Sequence, residues 1–388
     1  MANIGIIGTG FIAQGLARTL QYHPELRLTR MLTRRPRASW ADHPFADRLT
    51  DSLDDLMAHA DLVVECTGDI VATTDRVQKV MAAGLPVVTM NSEFQITTGS
   101  WFVDKGYITE AEGDQPGSLA ALHEEAVGMG FRPLVYGNSK GFLNLDPKPD
   151  EMAYWAEKQG ISVKQTTAFT DGTKVQIEQV FVANGLGADI ARPGLLGPRT
   201  ETWQEAGELL AERARALGRP VSDYIIAKGR PPAVFMVAEH DAAEVGPLRY
   251  FKLGDGPLYF LPRDYHLCFF EIPRTIQRAL EGKPPLLTNT RQPRISVGAI
   301  AKRALPAGTA IPYAIGSFDF RGEAVRVAEA PDHVPIGILE QAVLRRAVEP
   351  GQMLTWDDVD IPDSLALDIC HELYRPAAPG AAAGGQSA

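Results

Sequence analysis

The stretch "GIIGTGFIAQGL", residues 5–16, decides the fold. A strand-like apolar run is followed by two glycines one residue apart, and then by apolar residues at helical spacing. Gly8, Gly10 and Ala13 fit G-x-G-x-x-A, in which the first glycine turns the chain, the second admits a pyrophosphate and the alanine packs closely. Phe11 and Ile12 open the helix, whose free N–H groups and positive dipole end attract phosphates. The motif predicts a dinucleotide site, and the alternative is a purely structural turn.

The residues beyond this motif continue the alternation of strands and helices. Strand-like runs at residues 26–32, 61–66 and 86–90 are separated by helix-like stretches, one of which ends at Gly84. Short connections between alternating elements are typical of a parallel sheet covered by helices. We therefore predict an α/β protein whose first domain, residues 1–140, is a Rossmann-type NAD(P)-binding domain.

The middle of the chain, residues 141–290, has a different pattern. It predicts a central α+β domain for substrate binding or oligomerisation, with strands at 161–169, 233–239 and 248–260 and helices at 173–185 and 201–217. By analogy, the central strands indicate a homo-oligomer.

The third part contains an internal repeat. "AKRALPAGTAI", residues 301–311, and "LRRAVEPGQML", residues 344–354, each combine a basic dipeptide, an apolar step, a turn with glycine and another apolar step. This pattern is typical of strand, tight turn and strand, and two copies are too few for a solenoid. We predict a small closed β module over residues 291–375, followed by a disordered tail at 376–388 that is rich in Pro, Gly and Ala.

Composition excludes several function classes. The 388 residues carry a formal net charge of −10, which makes general affinity for nucleic acid or anionic membranes unfavourable. Three scattered cysteines and no CxxC argue against a disulfide framework or structural zinc and fit a cytoplasmic protein. No apolar stretch reaches the length of a membrane span.

The end of the second predicted strand bears on the choice of cofactor. NAD enzymes usually place an acidic residue there, whereas this chain has Thr33, Arg34 and Arg35. A hydroxyl and two guanidinium groups suit a 2′-phosphate, so we favour NADP(H) over NAD(H). The alternative interpretation is a solvated basic loop.

The ends of later strands are expected to lie beside the nicotinamide. Thr67 and Gly68 follow the strand at 61–66, and Asn91 and Glu93 follow the strand at 86–90. In open α/β sheets, ligands bind at the carboxyl ends of the strands. We therefore expect Thr67 and Gly68 near the nicotinamide ribose, and Asn91 and Glu93 near the nicotinamide or the substrate.

Polar residues among glycines provide candidate catalytic groups. Lys174 is the candidate proton carrier or carbonyl polariser, and Asp171 would share a face with it if a helix has begun there. The alternative is a helix-capping Asp171 with an exposed lysine. Lys140 competes for the same role or orients the substrate, while Asp114 and Glu178 complete the polar wall. The spacing requires no metal site, although it permits a divalent ion shared by carboxylates and a substrate phosphate.

Several segments in order resemble the homoserine dehydrogenase-like oxidoreductases. They are GTGFIAQGL, VVECTG, VVTMN, EGDQPG, GNSKGF, TDGTKVQIE, ANGLG and YHLC. The doubled segment resembles the SAF module, a β-clip fold. The resemblance covers nearly the whole chain except the tail. The family also includes reductoisomerases that convert 1-deoxy-D-xylulose 5-phosphate to 2-C-methyl-D-erythritol 4-phosphate with NADPH and a divalent metal.

This resemblance implies an NAD(P)H-dependent oxidoreductase that acts on a small polyhydroxylated, sugar-like or phosphorylated carbonyl or alcohol. Three alternatives remain open: a reductoisomerase, a homoserine dehydrogenase and a non-enzymatic dinucleotide-sensing protein. True homoserine dehydrogenases carry a lysine after the asparagine of a VVTANK-like segment, and here Ser92 follows Asn91. The departure weakens the homoserine dehydrogenase alternative.

Overall fold

The computed structural model describes residues 1–226 and 233–375 of this chain. The tail predicted for residues 376–388 lies outside these residues. The described chain forms two larger sheets, each packed against helices, and a smaller group of antiparallel strands near its C-terminal end.

The first sheet is parallel and has six strands in the order β3-β2-β1-β4-β5-β6. Its strands are β1 (Ala2–Ile7), β2 (Leu26–Leu32), β3 (Leu49–Thr50), β4 (Leu62–Glu65), β5 (Val87–Thr89) and β6 (Ile108–Glu110). The associated helices are α1 (Phe11–Thr19), α2 (Leu53–Ala58), α3 (Val71–Ala82) and α4 (Ser92–Thr97). The predicted Rossmann-type sheet is confirmed, and its order reverses at β1, which opens a crevice beyond the carboxyl ends of β1 and β4.

The second sheet is mixed, in the order β10-β9-β7-β8. Only β7 and β8 run parallel, whereas β7–β9 and β9–β10 are antiparallel. The elements of this region are α5 (Gln115–Gly128), β7 (Arg132–Lys140), α6 (Pro149–Gln159), α7 (Val163–Thr170), α8 (Thr173–Gly185), α9 (Trp203–Leu217), β8 (Val221–Ile226), β9 (Ala233–Glu239), α10 (Val245–Tyr250), β10 (Leu258–Arg263) and α11 (Ile272–Leu280).

Alternation along β9 shows how this sheet is covered. Val234 and Met236 pack in one core with residues of α5 and α8, while Phe235 and Val237 pack on the opposite face against α9. All four side chains are almost fully buried, as expected of a central strand between helices. The packing places α8 directly under the sheet, with its first turn near the carboxyl ends of the first sheet's strands.

Two predicted strands are wrong. Residues 161–169 form most of α7, because Ser162 and Gln165 make a capping box and the Thr167 hydroxyl bonds back to the carbonyl of Val163 at 2.8 Å. Residues 248–260 divide between α10 and β10, because the Gly254–Pro257 segment interrupts the run. Local capping and turn chemistry outweighed the alternating apolar pattern in both cases.

The C-terminal strands contain the repeat. They are β11 (Ile295–Ala301), β12 (Ala310–Tyr313), β13 (Phe320–Arg326), β14 (Glu340–Leu344) and β15 (Val359–Asp360), followed by α12 (Leu365–Tyr374). The two copies bond to each other through equivalent atoms. The N–H of Gly308 donates to Leu344 O at 2.7 Å, and that of Gly351 donates to Ala301 O at 2.8 Å. Leu305 and Val348 form a reciprocal antiparallel bridge between them.

The repeat is therefore a pair of mutually bonded turns with approximate two-fold symmetry. Both turn glycines have positive φ, 82° at Gly308 and 83° at Gly351, which explains why each copy has glycine there. The SAF-like identity of this module, the three domain limits and the homo-oligomeric state stay predictions. The first domain is predicted to end at residue 140. Strand β7, which ends at that residue, pairs with β8 and β9 of the second sheet.

Candidate active site

The glycine-rich turn has the geometry that a diphosphate requires. Gly8 has φ of 122°, and a Cβ there would lie 3.2 Å from the carbonyl oxygen of Cys66. A Cβ on Gly10 would meet nothing within 4 Å, so this residue faces open space. Gly10 is also the N-cap of α1 and provides no side-chain cap. The first N–H groups of α1 are therefore available to an anion, as the motif predicts.

The residues that open α1 and those that follow β4 line one cavity of about 630 Å³. Phe11 and Ile12 belong to this lining, and Phe11 packs edge-on against Phe269 with ring centroids 5.6 Å apart. Thr67 and Gly68 lie on the same wall. Their position agrees with the predicted nicotinamide side of the crevice.

Thr67 is held by a buried carboxyl group at the end of β4. Glu65 accepts the N–H of Thr67 at 2.7 Å and also its hydroxyl, and the hydroxyl of Thr73 lies 3.3 Å away. Burial raises the pKa of Glu65 above its usual value. This network fixes the turn between β4 and α3, where Gly68 has a φ of 71°.

Asn91 does not line the cavity. It is fully buried, its Oδ1 accepts the N–H of Phe94 at 3.0 Å, and its Nδ2 donates to the carbonyl of Asp69 at 3.3 Å. Both ends of the amide are therefore engaged within the protein. The structure gives Asn91 the role of capping α4 instead of the cofactor contact that the sequence predicts.

A second cavity, of about 360 Å³, lies beyond the end of β2. Thr33, Arg34 and Arg35 all line it, as does Arg76 of α3. Arg34 donates to Asp69 at 2.8 Å. In the described parts of the chain, by contrast, no carboxylate pairs with Arg35 or Arg76. Two guanidinium groups thus remain available to an anionic ligand.

Lys174, in the first turn of α8, is the main cation of the larger cavity. Its Nζ donates to Ser92 Oγ at 2.7 Å and to the two carboxylate oxygens of Glu93 at 2.9 and 3.0 Å. Burial alone would lower the pKa of Lys174, but the carboxylates of Glu93, Asp114 and Glu178 outweigh it and raise the pKa. Lys174 is therefore an ammonium group throughout the neutral range. Glu93, predicted as a cofactor contact, is its ion-pair partner.

Glu178 and Lys140 form the neighbouring pair. Glu178 Oε2 accepts from Lys140 Nζ at 3.4 Å and from Asn138 Nδ2 at 3.1 Å. Lys140 Nζ also donates to Gln115 Oε1 at 3.0 Å. Burial raises the pKa of Glu178 to about 7, against the lowering effect of the nearby lysines. Glu178 lines the cavity and is thus a carboxyl group able to exchange a proton near neutral pH.

Asp114 lines the same cavity, next to a more deeply buried carboxyl group, Glu110. Glu110 Oε2 accepts the hydroxyl of Thr89 at 2.5 Å. Burial, followed by the charge of Asp114, raises the pKa of Glu110 well above its usual value. Within the described residues, Glu110 Oε1 and Asp114 Oδ2 have no donor. Burial and the charge of Asp114 thus both favour the protonated form of Glu110.

Asp171 lies away from this cluster. Its Oδ2 is 2.6 Å from Lys302 Nζ in a pair whose side chains are 0% and 2% exposed. Its Oδ1 accepts the N–H of Thr173 at 2.9 Å, and Gly172, with φ of 83°, separates it from α8. Because the helix begins only at Thr173, Asp171 and Lys174 do not share a helical face. The expectation that Asp171 orients the substrate is corrected: it joins α8 to the C-terminal module.

Sequence reasoning missed several residues of the site. Ser92 and Gln115 contact the two lysines directly, and both lie within segments that the motifs single out. His266, which its sequence context favours as a hydrogen-bonded structural residue, joins the site by a contact of 3.3 Å between its Nε2 and Gln115 Nε2, and burial lowers its pKa. Arg76 gave no signal, because only the packing of α3 brings it to the smaller cavity.

Two other features bear on ligands. No three His, Cys, Asp or Glu side chains in residues 1–226 and 233–375 form a group that could hold a metal ion. None of the helices in these ranges combines the length and apolarity needed to cross a bilayer.

Comparison with known proteins agrees with this geometry. Residues 8–97 match the model of the homoserine dehydrogenase NAD-binding domain, and residues 113–272 match that of the catalytic domain of oxidoreductase DRL. The first match covers the glycine turn, and the second covers Asp114, Lys140, Lys174 and Glu178. This chain is therefore similar to homoserine dehydrogenase-like and DRL oxidoreductases over these two ranges, and the two matches support that family for it. It is an NAD(P)-dependent oxidoreductase.

Solved structures of other dehydrogenases are similar to this oxidoreductase only at low identity. UDP-N-acetylglucosamine 3-dehydrogenase GnnA from Acidithiobacillus ferrooxidans is 12% identical with a TM-score of 0.42, covering 74% of this chain and 91% of its own. The dehydrogenase MviM from Clostridium difficile is 10% identical with a TM-score of 0.39, covering 73% and 92%. No curated protein matches the chain. The family assignment therefore depends on the two family models.

Proposed function

We propose that this oxidoreductase transfers hydride reversibly between NADP(H) and an alcohol or carbonyl carbon of a small polyhydroxylated substrate. One observation carries the proposal: the Lys174 ammonium group, bonded to Ser92 and Glu93, lies in the cavity that Thr67 and Gly68 also line. A fixed cation beside the predicted nicotinamide wall suits an oxygen that gains negative charge during reduction.

Two titratable groups of the cavity, Lys174 and Glu178, have different roles in the reaction. When bound, the nicotinamide supplies or accepts the hydride. Lys174 stays protonated and polarises the carbonyl oxygen, because three carboxylates raise its pKa. In reduction the carbonyl carbon gains the hydride, its π pair moves to oxygen, and the oxygen takes a proton from Glu178. In oxidation Glu178 accepts that proton, and a pKa of about 7 suits both directions.

The polar groups around Lys174 and Glu178 form the floor of the cavity, and they bind and orient the substrate. Gln115 and Asp114 line the cavity, and Lys140 bonds to Gln115 from behind, so donors and acceptors are available to a substrate with more than one hydroxyl or carbonyl oxygen. This arrangement excludes bulk water only in part, since the cavity opens towards solvent at Phe169 and Lys164.

A preference for NADP(H) follows from the smaller cavity. Thr33 is buried and anchored, its Oγ1 accepting the N–H of Arg35 at 3.1 Å. Arg35 and Arg76 face the same space and carry guanidinium groups that bond phosphate oxygens in pairs. We therefore propose that the 2′-phosphate binds between β2 and α3, while Arg34 stays in its ion pair with Asp69.

Turnover by Lys174→Met tests the proposal. The variant should bind NADPH as the parent does but lose at least about a hundredfold in kcat with hydroxyketones, as expected when a group that stabilises the developing oxyanion is removed. Lys79→Met, an exposed lysine of α3, is the matched control and should retain full activity. Undiminished turnover by Lys174→Met would refute the assignment.

The same assay separates the alternatives. A rearranged carbon skeleton, with turnover lost in EDTA, would identify a reductoisomerase instead. Oxidation of homoserine would identify a homoserine dehydrogenase. Tight binding of NADPH without turnover of any carbonyl compound would favour a sensor.

A further inference from the structure

The cavity has a third wall that the proposed chemistry does not use. Ile161 precedes α7, Phe169 lies in its last turn, and Ile315, Ile336 and Leu339 of the C-terminal module line the same cavity. All five side chains are apolar. A substrate that consisted only of hydroxyls would satisfy the polar groups around Lys174 and leave the exposed ring of Phe169 in contact with water.

The wall is fixed in position by close backbone contacts. A Cβ on Gly337 would lie 2.1 Å from Thr97 Oγ1, so the loop at 336–339 packs directly on α4, the helix that carries Glu93. A Cβ on Gly316 would lie 2.1 Å from the carbonyl of Lys164, so the other loop packs on α7. Since Ile336 and Leu339 are each 1% exposed, the wall is part of a packed core. It therefore lies at a set distance from Lys174.

One side chain of the wall remains open. Phe169 is 47% exposed although it ends a helix whose inner face is buried, and it lines the cavity. An aromatic ring left half in water beside a polar catalytic floor is an unfilled binding surface for an apolar group.

The rim of the wall carries two charges of opposite sign. Lys164 and Glu340 both line the cavity there and interact electrostatically. The Nζ of Lys164 also lies 4.9 Å from the ring centre of Tyr313. A phosphate group needs several uncompensated donors, so this rim favours an uncharged arm.

We infer that the substrate is an amphipathic ketone or secondary alcohol whose oxygenated head meets Lys174 and Glu178 while an unphosphorylated apolar arm lies against Phe169 and the C-terminal module. The inference rests on the proposed function and specifies the substrate class of that site. Phe169 supplies the open surface that the arm contacts, and Ile336 and Leu339 of the C-terminal module complete the apolar lining beside it.

Three hydroxymethyl ketones that share one head test the inference. Hydroxyacetone has no arm, 1-hydroxy-2-heptanone has an alkyl arm, and dihydroxyacetone phosphate has an anionic arm. With NADPH and the full chain, kcat/KM should rise by about fourfold for each methylene that the wall covers, so the heptanone should exceed hydroxyacetone by at least about tenfold. Equal values, or a preference for the phosphate, would overturn the inference.

A pair of phenylalanine variants locates the arm. Phe169→Ala should lower kcat/KM for the heptanone about tenfold more than for hydroxyacetone. Phe142→Ala is the matched control, since Phe142 is 60% exposed and lies outside the cavity lining, and it should change neither value. Equal losses for both ketones in Phe169→Ala would contradict the assignment.

Calorimetric binding distinguishes failure of this inference from failure of the proposed function. If none of the ketones is reduced, the proposed function fails for this class of compound. The binding of 1-hydroxy-2-heptanone to the enzyme saturated with NADP⁺ then decides the inference. Binding that weakens in Phe169→Ala but not in Phe142→Ala supports the apolar subsite, and absence of binding refutes it.

Discussion

Replacing Lys302 with methionine should destabilise the protein strongly. Lys302 follows β11 and reaches the segment before α8, where its Nζ lies 2.6 Å from Asp171 Oδ2 and donates to the carbonyl of Ser317 at 2.8 Å. The pair is almost completely withdrawn from water. Removing the lysine leaves the Asp171 carboxylate with little compensation beyond the Thr173 N–H.

The expected loss is about 3–5 kcal/mol in the free energy of unfolding, the usual cost of leaving one member of a buried ion pair without its partner. Arg303→Met is the matched control from the same basic dipeptide. Arg303 is 61% exposed in its pair with Asp319, so its removal should cost no more than about 1 kcal/mol.

The loss should also depend on pH. Burial raises the pKa of Asp171 even beside Lys302, and removal of the lysine raises it further. A carboxyl group with a raised pKa binds its proton more tightly in the folded state than in the unfolded state. The penalty is therefore fully present above the folded-state pKa and shrinks as the pH falls towards the unfolded value of about 3.9.

Urea unfolding of both variants at about pH 8 and about pH 5 measures these effects. The double variant Lys302→Met/Asp171→Asn should recover much of the loss, because it removes the buried charge. A Lys302→Met variant that is no less stable than Arg303→Met would refute the reasoning. A penalty that grows as the pH falls would refute it equally.

Three further predictions concern the site. Because burial raises the pKa of Glu178 to about 7, kcat/KM for ketone reduction should fall above about pH 7, and kcat/KM for alcohol oxidation should rise. The Glu178→Gln variant should lose this inflection in its pH–rate profiles. An unchanged profile in the variant would contradict the role of Glu178. Arg76→Met should raise the Kd of NADPH about tenfold, measured by fluorescence titration, and leave that of NADH unaltered; equal effects on both would refute a 2′-phosphate contact. Gly337→Ala should lower both the thermal midpoint and kcat, because its Cβ would lie 2.1 Å from an atom of α4. Gly128→Ala is the control and should be tolerated, because its Cβ would meet nothing within 4 Å. Equal behaviour of the two alanine variants would argue against a fixed wall.

Much of the cofactor site could be predicted from local sequence. Gly8 and Gly10 have the backbone geometry that their spacing indicates, and Thr67 and Gly68 line the cavity at the carboxyl end of β4, because strand ends of a parallel sheet share one edge. The start of α8 at Thr173 agrees with the helix predicted for residues 173–185, and Lys174 in its first turn lines the cavity. Motifs of this kind encode geometry within a few residues and need no distant partner.

Other assignments depend on partners far away in the chain. Asp171 has the residue type and neighbourhood of a catalytic group, but Lys302, 131 positions later, withdraws it from the site. Asn91 looks suitable for a cofactor contact, but both ends of its amide are used within the protein. Hydrogen-bond and ion-pair capacity is limited, and only the folded chain shows where that capacity is used.

By itself, the sequence determined the parallel sheet, the dinucleotide turn, the repeat and the candidate lysines, because hydrophobic periodicity and glycine geometry act over short distances. Tertiary structure alone decided which charges remain available to a ligand, since that depends on long-range packing. It placed Arg76 in one cavity with Arg35, raised the pKa of Glu110 by burial and by the charge of Asp114, and brought apolar residues of the C-terminal module into the cavity of Lys174. Desolvation and pairing across the fold, which have no local sequence signature, thus define the chemistry of the site.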